Sequence, residues 1–362
     1  MVRDRPVALA VDLAAVAGDA SRGVVVAGRS DAPLRAVPAL AAACGYPLIA
    51  DPLSGARSGV AAVAHYDLLL ADAAFTASHE PDVVIRVGDL PTSKVLRSWL
   101  SSLGGARQIA VDPQGAWLDP AGVLERSLRA DPALLSPPPA APPGWLEGWR
   151  AGDARAAAAV AGLLEAEPLS ELAVARLLGE LLPTDSLLFV ASSMPVREIE
   201  TAWPVREDPP RVLSNRGANG IDGTLSSAFG ARAGSDGPVC ALVGDVAFAH
   251  DVGGLLCASR LGLAVTFVLL DNGGGAIFDH LPIAGETDVY EQHIATPPGV
   301  DFEAVARAYA IDYVAPSSRE ELTTALEIAL AQPLRSTLLH LRFERDASLA
   351  LHRRLRAETT FA

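Results

Sequence analysis

Two short segments hold the residue types in this chain best suited to chemistry: Gly244 with Asp245, and the run Asp271-Asn272-Gly273-Gly274-Gly275. Each follows an apolar, β-branched run, 239–243 before the first and 265–270 before the second, so each reads as the carboxyl end of a buried strand. In open α/β sheets ligands bind at that edge. Twenty-six residues separate Asp245 from Asn272, enough for one crossover helix at about 251–261 between two parallel strands. One carboxylate, one amide oxygen and exposed backbone carbonyls then arrive at one place. Hard divalent cations take such oxygen ligands, and Mg²⁺ fills its octahedron with phosphate oxygens and water. The competing reading makes Asn272-Gly273 a turn and Asp245 a helix N-cap. Both segments at this spacing favour a Mg²⁺-diphosphate site.

The elements that would position these groups follow from pattern. From Gly23 to about Pro132, short apolar strands alternate with helices: 24–27, 47–50, 83–87 and 108–111, ending in Gly, Asp or Ser. That pattern predicts a doubly wound parallel sheet. No Gly-x-Gly-x-x-Gly occurs there, so nucleotide binding in this half rests on fold analogy alone. Ser136 to Gly144 is a proline-rich, semi-rigid linker, followed by a helix over 145–165. Ser170 precedes a periodic apolar run over 171–182 and is placed to cap it. Strands at 187–191, 239–243, 265–270 and 337–342 predict a second α/β domain. The expected division is a central Rossmann-like domain over 1–135, linker and connecting helix over 136–166, a diphosphate-binding domain over 167–345, and a tail over 346–362 forming a surface helix with a frayed end.

With 362 residues, half of them apolar and 20% charged, the chain suits two globular domains. It has no uninterrupted apolar stretch of about 20 residues and no signal-peptide start, and its three cysteines (Cys44, Cys240, Cys257) sit in apolar surroundings. A reduced, cytoplasmic protein is expected. The net charge of −14 argues against nucleic acid or an anionic membrane as partner. Screening over roughly 8–10 Å leaves the local charges to decide what a site binds. Lys94 is the only lysine among 29 basic residues, which singles it out as a compact ammonium worth keeping.

The metal-site pair resembles the metal and diphosphate motif of thiamine diphosphate enzymes. Three further strings narrow the resemblance: Ser192-Ser193-Met194-Pro195-Val196-Arg197, then Ser214-Asn215-Arg216-Gly217-Ala218-Asn219-Gly220-Ile221-Asp222-Gly223, then Gly275-Ala276-Ile277-Phe278 with Leu281-Pro282. They are similar to the 2-succinyl-5-enolpyruvyl-6-hydroxy-3-cyclohexene-1-carboxylate synthases of menaquinone biosynthesis. The resemblance runs the length of the chain. It implies two doubly wound domains of the thiamine diphosphate enzyme type, a central one and a diphosphate-binding one. The family's amino-terminal pyrimidine-binding domain, with its cofactor-activating glutamate, is expected to be missing. The chain alone is therefore expected to be inactive or nearly so.

The roles implied are specific. Asp245, Asn272 and the Gly274 carbonyl would hold Mg²⁺ (or Mn²⁺), while Gly244, Asp245, Val246 and Ala247 would lead a helix whose N–H groups face the diphosphate. Ile221 would support the thiazolium, with Ile277, Phe278 and Leu281 completing an apolar wall. Lys94, Ser193, Arg197 and Arg216 would bind the carboxylates of isochorismate and 2-oxoglutarate. His250 and His280 flank the motifs as possible acid–base groups. Three positions depart from the family pattern: Asp271 stands where Asn is usual, Val246 replaces a glycine, and Ser192 stands where Asn is common. The implied reaction is the decarboxylating addition of 2-oxoglutarate to isochorismate, in a homo-oligomer (dimer or tetramer) or with a separate pyrimidine-domain chain. Two other readings remain: another thiamine diphosphate 2-oxoacid decarboxylase or synthase, and a non-catalytic diphosphate-binding remnant or fragment.

Overall fold

The computed structural model describes residues 10–115, 118–167, 169–215, 220–286, 288–332 and 334–359, in two compact units. The first comprises Met1–Ala161, Glu200–Pro209 and Arg356–Ala362; the second comprises Gly162–Ile199 and Pro210–Leu355.

In the first unit, β1 (Gly23–Ala27), β2 (Leu48–Ala50), β3 (Val83–Val87), β4 (Arg107–Val111) and β5 (Arg126–Leu128) form an all-parallel sheet in the order β2-β1-β3-β4-β5. β1 and β3 are buried along their whole length, as continuous Val/Ile runs require when helices cover both faces. Gly23 has no room for a side chain, because a Cβ there would lie 1.9 Å from the Tyr46 ring. Arg57, only 1% exposed, fastens the segment 200–209 into this unit. Its Nη1 donates to the carbonyls of Glu200 (3.0 Å) and Trp203 (3.2 Å), and its Nη2 pairs with the Glu200 carboxylate at 3.2 Å.

The second unit holds β6 (Leu187–Val190), β7 (Arg211–Leu213), β8 (Val239–Gly244), β9 (Thr266–Asp271), β10 (Asp312–Val314) and β11 (Thr337–Arg342). They pair in parallel in the order β10-β11-β9-β8-β6-β7. The four strands expected from the apolar runs are the four central ones, and three-residue β7 and β10 are its edges. The core beneath joins Phe189, Phe229, Phe248, Phe267 and Phe302, with edge-to-face ring contacts centred 5.6–5.7 Å apart.

Two expectations change. The single crossover helix at 251–261 is instead three pieces: a helix Asp245–His250, a 3-10 turn Val252–Leu255 and a helix Leu256–Leu261. Gly253 and Gly254 break it, since glycine weakens a helix and a Cβ at Gly254 would lie 2.8 Å from Ser226 Oγ. The segment after Glu344 is a helix, Arg345–Glu358, but it is docked rather than superficial, with Leu351, His352 and Leu355 buried. Among the described residues no helix is long and apolar enough to cross a membrane.

Candidate functional site

The carboxyl ends of β8 and β9 lie side by side, with Gly244 registered against Leu270. This is why residues so far apart in sequence meet. Asp245, 2% exposed, begins the helix leaving β8, and Asn272, 9% exposed, follows β9. The Gly274 N–H donates to Asp245 Oδ2 at 2.7 Å, so the glycine loop after β9 closes onto the acid after β8. That loop demands glycine twice: Gly273 has φ 73° and Gly274 φ 134°, and a Cβ at Gly274 would lie 2.6 Å from the Ala295 carbonyl oxygen.

The electrostatics of this pocket favour a cation. Burial pushes the Asp245 carboxyl up to about 6, against the pull of its hydrogen bonds from the Val246 and Gly274 backbone. Asn272 Nδ2 donates to Glu171 Oε1 at 2.7 Å, while its Oδ1 is buried without a hydrogen-bond partner. An unmet acceptor in a buried site is costly unless something satisfies it. One carboxylate, one amide oxygen and a loop carbonyl suit a hard cation that shares its shell with phosphate and water. Among the described residues no group of three or more His, Cys, Asp or Glu forms a metal cluster of the other kind. The residues present therefore fit Mg²⁺ bound with a diphosphate. The helix from Asp245 is six residues long, so its dipole adds less than the expected run implied.

The second unit also holds most of the other residues expected at the site. Ser193 follows β6 with φ 70°, a left-handed conformation rare for serine and found where function over-determines the backbone. Arg197, one helical turn on in Met194–Ala202, is half-buried, with Nη1 donating to the Ser193 carbonyl at 2.6 Å. Ile277 and Phe278 occupy the turn Ala276–His280, and Leu281 leads into the turn Pro282–Gly285. Phe278 and Leu281 are 38% and 44% exposed, apolar surface on the loop that carries Asn272. Ile221 is half-buried, Val246 likewise, and Ala247 is buried.

Lys94 belongs to the first unit, exposed at the start of helix Lys94–Ser102, whose N-cap Ser93 accepts from the Leu96 N–H. Arg216 lies outside the described residues. His250 is exposed and pairs with exposed Asp222 at 3.0 Å, and the His280 ring packs edge-on against His352, centroids 5.3 Å apart. Asp271 is held by its own partners, with Oδ2 2.8 Å from His340 Nε2 and Oδ1 accepting from the Gly273 N–H, and its charge beside Asp245 pushes that acid up further. Burial opposes ionisation there, yet the His340 hydrogen bond and charge hold the Asp271 carboxyl below its ordinary range. A cavity of about 560 Å³ lies along β10 and the helix Arg319–Leu330, lined by Val314, Ala325 and Ile328 among others, and none of the residues expected at the site lines it.

Glu171 is the residue that sequence reasoning passed over. It begins the helix Glu171–Leu181 behind its Ser170 cap and is 3% exposed. Ser348 Oγ, from the C-terminal helix, donates to its Oε2. Four residues on, His352 Nε2 lies 2.8 Å from Oε1 of fully buried Glu198. Burial, and then the neighbouring Glu198, push the Glu171 carboxyl up to about 7. A buried acid at a helix start, three residues after a proline, carries no sequence signal for this contact.

Comparison with known proteins finds similarity along most of the chain. Residues 14–190 match the family model for the middle domain of thiamine pyrophosphate enzymes, and residues 197–340 match the model for the C-terminal TPP binding domain of these enzymes. The chain is similar to the 2-succinyl-5-enolpyruvyl-6-hydroxy-3-cyclohexene-1-carboxylate synthases of Rubrobacter xylanophilus (39% identical, covering 95% of this chain and 62% of that protein) and Bacillus velezensis (35%, 92% and 60%). That of Chloroflexus aurantiacus is 37% identical, over 92% of this chain and 59% of its own length. The chain thus spans about three fifths of the length of these relatives. Among solved structures, benzoylformate decarboxylase from Polynucleobacter necessarius shares the fold, with a TM-score of 0.62 at 16% identity over 92% of this chain and 64% of that one.

Proposed function

Starting from a chain that belongs to the thiamine pyrophosphate enzyme family, with its middle and TPP-binding domains, we propose that it serves the decarboxylating addition of 2-oxoglutarate to isochorismate in menaquinone biosynthesis. The observation that carries the reading is the buried, unsatisfied Asn272 oxygen on the strand end next to Asp245. The relatives' names supply the substrates.

When bound, thiamine diphosphate supplies the nucleophilic carbon and the electron sink for decarboxylation. The protein's part is holding and shielding. Asp245, Asn272 Oδ1 and the Gly274 carbonyl hold Mg²⁺, or Mn²⁺ in its place, against the diphosphate, and Gly244, Val246 and Ala247 bring backbone close to it. Ile221 and Ile277 support the cofactor, and Phe278 and Leu281 exclude water from the reacting carbons. Arg197 and Arg216 bind substrate carboxylates through their planar forks, Ser193 adds a hydroxyl and Lys94 an ammonium. The activity is proposed for these two domains working with a pyrimidine-binding domain, in a cytoplasmic homo-oligomer.

Calorimetric titration of the full chain with thiamine diphosphate tests the site. Binding that requires Mg²⁺ and is lost in Asp245→Ala is expected; binding indifferent to both would overturn it. Product formation from isochorismate and 2-oxoglutarate, with a pyrimidine-binding domain added, tests the substrates. Decarboxylation without addition to isochorismate would instead favour a simple 2-oxoacid decarboxylase.

A further inference from the structure

An amide ligand has two nearly isosteric ends, of which only the oxygen can face a cation. Turning the Asn272 side chain over would present an NH₂ group to Mg²⁺, and the broad torsion at that bond resists such a turn only weakly. Something must therefore set the orientation. The structure supplies it from outside the β8–β9 edge: Asn272 Nδ2 donates to Glu171 Oε1 at 2.7 Å, which leaves Oδ1 pointing the other way, buried and unsatisfied.

Glu171 is itself held. It is 3% exposed, its backbone is fixed in the first turn of helix Glu171–Leu181, and its second oxygen accepts from Ser348 Oγ. The contacts span 101 residues to Asn272 and 177 to Ser348, so the second exists only because the C-terminal helix docks. The arrangement works in either protonation state of the acid, since Oε1 remains an acceptor while Oε2 adapts to Ser348.

We propose that Glu171, braced by Ser348, is a positioning residue for the metal site, keeping the Asn272 oxygen aimed at the cation. This rests on reading Asn272 as a metal ligand. Groups that orient a metal's direct ligands affect affinity strongly, and their loss typically costs about 10–100-fold in metal binding. Nothing in the role requires Glu171 to touch metal, cofactor or substrate.

Titration of the full chain with Mn²⁺ in the presence of thiamine diphosphate, followed by the electron paramagnetic resonance of free Mn²⁺, tests it. Glu171→Gln keeps an acceptor for Asn272 and a donor for Ser348, so its affinity should stay within about threefold of the parent. Glu171→Ala should weaken Mn²⁺ by about tenfold or more, and Ser348→Ala by a smaller factor. Thermal midpoints without metal and cofactor separate this from general damage. The side-chain NH₂ resonances of Asn272, identified by their loss in Asn272→Asp, should keep their position in Glu171→Gln and move in Glu171→Ala. Wild-type affinity in Glu171→Ala, alongside lost binding in Asp245→Ala, would overturn the positioning role and leave the metal site standing. Equal losses in the Gln and Ala variants would overturn it too, since Gln preserves the acceptor. If Asp245→Ala binds Mn²⁺ like the parent, the metal-site reading falls, and this inference with it.

Discussion

At the scale of single residues, the loop after β9 is built around backbone that only glycine adopts readily. A side chain at Gly274 would meet the Ala295 carbonyl oxygen at 2.6 Å and sit at φ 134°. Gly274→Ala should therefore cost on the order of 1–3 kcal/mol. It should also pull the Gly274 N–H from Asp245, so that Mg²⁺-dependent cofactor binding falls with stability. Chemical denaturation and calorimetry on the same variant check both. The cysteines give a contrasting case, in which burial means inertness. Burial raises the Cys44 thiol to about 11 and the Cys240 thiol to about 12, so few thiolates exist at neutral pH. Cys257 is half-buried on the short helix Leu256–Leu261. A disulfide reagent should label Cys257 in the folded chain well before the other two, and Cys257→Ser should abolish that rapid phase.

At the scale of elements, the strands were legible where an apolar run ends in Gly, Asp or Asn, because a buried parallel strand has that composition and no other. β8 and β9 are the clearest instances, and the candidate site was read from their ends. The edges were not legible. β5, β7 and β10 are three residues each, too short for periodicity, and exist because a longer neighbour offers a ladder. The crossover after Asp245 misled for a different reason, since the close approach of Gly254 to Ser226 appears only in the folded chain. Glu171 was invisible because its partners come from remote segments. Helix packing in the first unit makes a separate prediction. The His79 ring stacks on Phe75, centroids 4.1 Å apart, and lies 5.6 Å from Trp149, over Gly148, where a Cβ would be 2.7 Å from Nε2. Burial there holds His79 below its ordinary value of 6.5. As pH falls through 6.5 the unfolded chain takes up a proton that the folded ring refuses. Stability contributed by neutral His79 is thus present above that pH and lost as pH falls toward the lowered folded value. His79→Phe should flatten this part of the acid-side decline in the thermal midpoint; an unchanged slope would show that the ring titrates freely.

At the scale of the whole molecule, the chain does not divide at one point. Residues 200–209 and 356–362 belong with the amino-terminal unit although their sequence neighbours belong with the other, and helix Met194–Ala202 contributes residues to both. What secures the returning segment is a buried ion pair, with Arg57 and Glu200 side chains 1% and 4% exposed. Such a pair is a poor source of net stability but a costly one to halve, because the survivor is left charged and dry. Glu200→Ala should destabilise the first unit by roughly 3–5 kcal/mol, whereas Arg57→Met with Glu200→Leu should recover most of that loss. The distribution of tryptophan makes this readable in the intact chain. The tryptophans among the described residues (Trp99, Trp145, Trp149 and Trp203) fall within the first unit's segments, so their fluorescence follows that unit while far-ultraviolet circular dichroism follows both. Because unfolding the first unit releases the last turn of a helix whose earlier turns carry Arg197, the two signals should move together in urea. Both midpoints should fall in Glu200→Ala. A fluorescence transition that shifts while dichroism keeps a second, unshifted step would show that the helix frays at Ile199 and that the units unfold independently.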